Sequence, residues 1–191
     1  MNNATNSIFP EINEQKKSEN FHIALLAAYA IGLHGIEALI PTPIPWLRLG
    51  FANIITLITL LLYGLKAGMT VTLIRIFITS FFTGTFLGPA FVLSLGGGVS
   101  STLVMWLANV LFGRLFGPVG LSLFGALTHN IAQLFLAYLF FVRRIEAIVF
   151  ISPIIILLGT ITGAFNGVVT SLIIKKIEET KDAKKIEPVA L

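Results

Sequence analysis

Residues 49–85 read LGFANIITLITLLLYGLKAGMTVTLIRIFITSFFTGT, and Lys66 and Arg75 are their only charged side chains. A membrane-spanning helix needs about 20 predominantly apolar residues. This stretch is too long for one span and suits two. The apolar pattern is interrupted where Gly64 is followed by Lys66, a helix breaker beside an interfacial charge. The expectation is two helices, Leu49–Leu65 and Ala67–Thr85, with a tight reversal between them.

The same criterion applied outward finds four more segments: Phe21–Ile40, Pro89–Phe112, Val119–Val142 and Ala147–Ile174. The separators carry the expected punctuation. Pro41-Thr-Pro-Ile-Pro45 ends the first helix, because proline fixes φ and removes a donor. Gly88-Pro89, Gly117-Pro118 and Arg143-Arg144 mark the others, and Pro153 is a place for the last helix to tilt or break. Across all 191 residues 55% are hydrophobic, 12% are charged and the mean hydropathy is +0.91. A soluble domain carries about twice that share of charge. The expected fold class is an all-α integral membrane protein, a six-transmembrane-helix bundle. Residues 1–20 form a polar cytoplasmic N-terminal tail, 21–175 the six-helix transmembrane domain and 176–191 a charged cytoplasmic C-terminal tail. The apolar run before Ala28-Tyr-Ala30 is short and hydrophobicity continues to Ile40, so a retained first span is expected in place of a cleaved signal.

The net charge of +4 comes from residues at helix ends and in the tail, where topology explains it without a nucleic-acid partner. With the N-terminus inside, nine Lys and Arg side chains fall on the cytoplasmic side. Only Arg48, Arg143 and Arg144 fall outside, and Arg75 lies within a span. That excess puts both termini in the cytoplasm.

Ionisable groups inside a bilayer are costly and ask for a reason. Here they are His34, Glu37, Arg75 and His129. Asn53, Asn130, Gln133, Thr162 and Asn166 add polar groups from several helices. Together they suit a small-ligand site between the membrane midplane and the outer surface. Taken singly, each amide, imidazole or hydroxyl also suits ordinary interhelical hydrogen bonding. Arg75 and Glu37 are offset by about 10 Å in depth at 1.5 Å per residue, so an anionic ligand or a water-filled cavity is a better account of the arginine than a direct pair. On the first helix, Ala24 and Ala28 point about 130° away from His34 and Glu37 at 100° per residue, which leaves a smooth surface opposite the polar one. Gly159, Gly163 and Gly167 form a second small-residue series, read as close packing within the bundle.

Catalytic equipment is missing. Asp182 is the only aspartate, so an aspartate-rich magnesium site for prenyl diphosphate chemistry is impossible. No Walker A loop, H-E-x-x-H or G-x-S-x-G pattern occurs, and there is no cysteine. No enzyme activity, cofactor or metal is expected.

Specific runs resemble a known family. Pro41-Thr-Pro-Ile-Pro-Trp-Leu-Arg-Leu-Gly-Phe-Ala-Asn53 is similar to the proline-rich connection and G-x-A-N helix start of the Gx transporter family, also labelled heptaprenyl diphosphate synthase component I. The helix with Arg75 followed by Gly84-Thr-Phe-Leu-Gly88, the Phe91–Gly97 run and Gly125-Ala-Leu-Thr-His-Asn-Ile-Ala-Gln133 extend the resemblance over about residues 22–175. It implies the fold of the substrate-binding S components of energy-coupling-factor (ECF) importers in the bacterial cytoplasmic membrane. It also implies a transmembrane T component and ATPase subunits as partners, docked through small residues at the positions of Ala24 and Ala28. The ligand would be a small vitamin, cofactor or isoprenoid-related precursor held by Glu37, Asn53, Arg75, His129, Asn130 and Gln133. The alternative is a noncatalytic membrane partner of a prenyl diphosphate synthase or of a quinone-linked electron-transfer assembly.

Overall fold

The computed structural model describes residues 3–39, 50–112 and 115–186, and these form helices joined by short turns, with no strand among them. The proline-rich connection, with Arg48, and Arg114 lie outside the described residues. Among the described residues five α-helices are present: α1 (Asn3–Leu39), α2 (Ala52–Phe82), α3 (Pro89–Phe112), α4 (Pro118–Ala137) and α5 (Ile145–Ile186). A π-helical turn, Tyr138–Val142, extends α4 to Arg143, which closes it in the left-handed region at φ 47°. All-helical, apolar segments are what a bilayer permits, because every backbone group must be satisfied within its own segment. By length and composition α2, α3, α4 with its π turn, and α5 are each able to cross a membrane. α1 is not one of these four; His22, His34 and Glu37 fall in its apolar half.

The expected six helices thus meet five, and the difference lies in α2. Gly64 sits inside α2 at φ 81° and ψ −173°, a backbone conformation open essentially to glycine alone. On either side of it the chain folds back on itself. The Thr56 and Thr72 hydroxyls, sixteen residues apart, are 3.4 Å from one another. An unbroken helix would separate them by about 24 Å. Gly68 packs against Leu60 in the same way, a Cβ there lying 3.1 Å from Leu60 Cδ1. α2 is therefore an antiparallel hairpin of two arms, 52–63 and 65–82, meeting where the apolar run is interrupted.

Packing follows chain order. α1 lies on α2, α2 on α3, α3 on α4 and α4 on α5, while α5 returns to α2 and closes the bundle. Near the hairpin end, Leu57, Leu60, Met105, Ala108 and Leu121 make an apolar core from three helices. Ala27 and Ala30 seat α1 against Val71 of the second arm. The glycines of α5 fix its approach to α4: a Cβ at Gly159 would collide with the Asn130 carboxamide, one at Gly163 would lie 2.7 Å from Ala126 Cβ, and one at Gly167 would lie 2.5 Å from Val119 Cα. Close backbone approach through small residues replaces the hydrophobic effect, which lipid does not supply between helices. α1 continues through the polar residues before Phe21, and α5 passes through Pro153 and carries the charged tail as helix to Ile186.

Candidate ligand-binding site

The first arm of α2 has only twelve residues and reaches about 18 Å, so its amino end stops well short of the far end of the longer second arm. That brings Asn53 to the level of Arg75, which stands ten residues, about 15 Å, above the hairpin on the second arm. A helix end at this depth needs partners for its amides, and each of the first three has one. Ala52 N donates to Glu37 Oε1 of α1 at 3.3 Å, Asn53 N to Gly50 O at 2.8 Å and Ile54 N to Phe51 O at 3.0 Å. Glu37 thus sets a carboxylate on the positive end of a buried half-helix. From α5, Asn166 Nδ2 donates to Gly50 O at 2.9 Å, tying the turn before the arm to the opposite wall.

Arg75, 5% exposed, donates Nη2 to Asn53 Oδ1 at 2.7 Å and Nη1 to His34 Nδ1 at 3.2 Å. Guanidinium has no acceptor, so His34 Nδ1 must accept, and the proton of a neutral ring then resides on Nε2. The 10 Å offset in depth expected between Glu37 and Arg75 is closed by the short arm. Glu37 binds Ala52, and the next residue, Asn53, binds Arg75.

These groups surround a cavity of about 40 Å³. His34, Glu37, Gly50, Asn53 and Arg75 line one side. Ser94 of α3, His129 and Asn130 of α4, and Thr162 and Asn166 of α5 line the rest. A water molecule needs about 10–15 Å³ by this measure, so there is room for a few waters, and a cofactor-sized molecule enters only if the helices part. His129 lies flat on α3, where a Cβ at Gly97 would come within 2.9–3.0 Å of three of its ring atoms. Asn130 Nδ2 donates to Ile155 O at 3.3 Å. Below the cavity, Thr72 links Thr56 and Thr102 through hydroxyl bonds of 3.4 and 3.0 Å, all three side chains being buried.

Five of the six residues expected to hold a ligand, namely Glu37, Asn53, Arg75, His129 and Asn130, line this one cavity. Gln133 is buried one turn farther along α4 and does not. The cavity lies at the level of Arg75, where the short first arm begins. Ser94 is the lining residue that sequence reasoning passed over; a lone serine in a span carries little signal, since its hydroxyl satisfies itself on its own helix. Ala24 and Ala28 are exposed on α1, on the side away from buried His34 and Glu37.

Among solved structures, the S component of a bacterial ECF transporter has a similar fold, with a TM-score of 0.67 and 20% identity over 86% of this chain and 98% of that one. No curated protein matches the sequence. The family model described as heptaprenyl diphosphate synthase component I matches residues 26–173, which take in every residue that lines the cavity. An S-component-like bundle thus coincides with a match over most of the chain, and the protein belongs to the heptaprenyl diphosphate synthase component I family.

Proposed function

We propose that this protein is the substrate-binding membrane subunit, the S component, of an ECF-type importer. The observation that carries the reading is the polar layer around buried Arg75 within otherwise apolar helices, in a bundle with the fold of an ECF S component. An arginine kept there is costly on every scale, and such groups mark substrate or ion pathways. In this reading the two arms of α2 are separate spans, giving six, and both termini are cytoplasmic. Glu37, Asn53, Arg75, His129, Asn130 and Gln133 bind a small vitamin, cofactor or isoprenoid-related precursor, with Gln133 engaged only once the cavity widens. A transmembrane T component and ATPase subunits supply the motor that this chain lacks, docking on the Ala24 and Ala28 face of α1.

The family description favours a second reading, a noncatalytic membrane partner of a prenyl diphosphate synthase; a quinone-linked electron-transfer assembly would be a partner of the same kind. Purification of the full chain from its native membrane separates the two. The importer reading expects a T component and ATPases in the complex and a small molecule identifiable by mass spectrometry. A stable complex with an isoprenoid synthase, carrying no small molecule and no ATPase, would sink it.

A further inference from the structure

The hydrogen-bonding character of the cavity is divided between its walls. Asn166 is 3% exposed and gives its Nδ2 to Gly50 O. A carbonyl only accepts, so this bond identifies the nitrogen of the carboxamide and leaves Oδ1 as the other atom. That oxygen is sealed from solvent and meets no donor among the described residues. A buried acceptor in this state is a standing penalty that a donor on a ligand would remove. Asn130 gives one Nδ2–H to Ile155 O, which identifies its nitrogen and adds its Oδ1 to the acceptors at the cavity. Thr162 donates its hydroxyl to Gly159 O at 3.1 Å and therefore has only lone pairs to offer. Asn130, Thr162 and Asn166 thus bring acceptors to the α4 and α5 wall, beside the His129 ring, which keeps an N–H of its own. Opposite that wall stands Arg75, all donor, with the Glu37 carboxylate in the same lining. One formal positive and one formal negative charge sum to zero.

We infer that the ligand of this site is an uncharged, zwitterionic or singly charged molecule that offers a carboxylate or carbonyl to Arg75 and N–H or O–H donors to Asn166 Oδ1 and Asn130, and that it is not a diphosphate ester. The inference rests on the small-ligand reading above and narrows it. A diphosphate ester would bring several negative charges into the cavity against a wall whose charges cancel, and burial of unmatched charge is prohibitive. It would also turn acceptors toward acceptors and leave Asn166 Oδ1 unsatisfied.

Thermal unfolding of the full-length chain in detergent tests this with two sets of probes. The first comprises free amino acids, pyrimidines, purines and pterins, which join carbonyl or carboxylate groups to N–H donors. The second comprises sulfate, isopentenyl diphosphate and acetate, which at pH 8 are ionised and lack such N–H or O–H donors. A member of the first set should raise the unfolding midpoint by several degrees, and no member of the second should. N-methylation of the donor on the stabilising compound should weaken binding at least about tenfold, since the buried oxygen is again left bare. Stabilisation by the second set, or an N-methyl analogue that binds equally well, overturns the donor inference while leaving a small-ligand site in place. Failure of both sets overturns the inference and the small-ligand reading together.

Discussion

Arg75 donates to two neutral acceptors, His34 and Asn53, which orient its fork, and the Glu37 carboxylate stands in the same cavity lining. Removing the arginine's charge relieves at least about 2.5–3.5 kcal/mol of insertion cost. Arg75→Gln is therefore expected to insert and fold while losing most affinity for whatever co-purifies. Arg75→Lys should also bind worse, because an ammonium cannot reproduce the planar fork. Unfolding midpoints of both variants, with and without that molecule, check this; ligand stabilisation that persists unchanged in Arg75→Gln removes the residue from the site. Glycines separate just as sharply. Gly159 faces the Asn130 carboxamide with no room for a methyl group, whereas Gly32 has nothing within 4 Å of an added Cβ. Gly159→Ala should cost about 1–3 kcal/mol by overpacking and disturb the cavity wall. Gly32→Ala should be neutral or slightly stabilising, by up to about 1 kcal/mol from helix propensity. Equal stabilities for the two variants would contradict the packing described. The Gly159–Gly163–Gly167 spacing was legible in the sequence as a seam, but its partner was not; only the fold shows that Asn130, Ala126 and Val119 are what it meets.

At the scale of elements, the α2 hairpin decides the site. Gly64 occupies a region that other residues enter only under strain, and Gly64→Ala should cost about 1–3 kcal/mol. Because the reversal also sets the level of Asn53 against Arg75, ligand stabilisation should fall with it. A variant as stable as the parent in detergent melts would mean that the reversal does not depend on this glycine. α1 presents a different case. It packs on α2, with Ala27, Ala30, His34 and Glu37 turned inward, and leaves Ala24 and Ala28 exposed. Ala24→Leu with Ala28→Leu should leave the unfolding midpoint and ligand stabilisation nearly unchanged while abolishing capture of a T component in a pull-down. Parallel loss of folding and binding would instead assign these alanines to internal packing. The two faces of α1 were readable from angular spacing alone, because helical periodicity is local.

For the whole molecule, the basic residues predict Ser18 and Lys181 on the cytoplasmic side and Thr42 outside. The chain has no cysteine, so single cysteines at these positions can be probed in intact cells with an impermeant thiol reagent. Thr42→Cys should be labelled, and Ser18→Cys and Lys181→Cys should be protected; the opposite pattern would invert the topology. The sequence by itself determined that this is a helical membrane protein, where its apolar helices are interrupted, and which rare polar side chains lie within them. Hydropathy, proline and glycine act over a few residues, and a bilayer leaves a chain little choice beyond helices. Only the tertiary structure decided that Asn53 and Arg75 stand at one level, that Glu37 caps a half-helix, that Asn166 Oδ1 meets no donor among the described residues, and that Gln133 lies off the cavity. Each of these depends on a distance between helices remote in sequence, set by a twelve-residue arm and by which glycines let backbones meet, and no local pattern encodes such a distance.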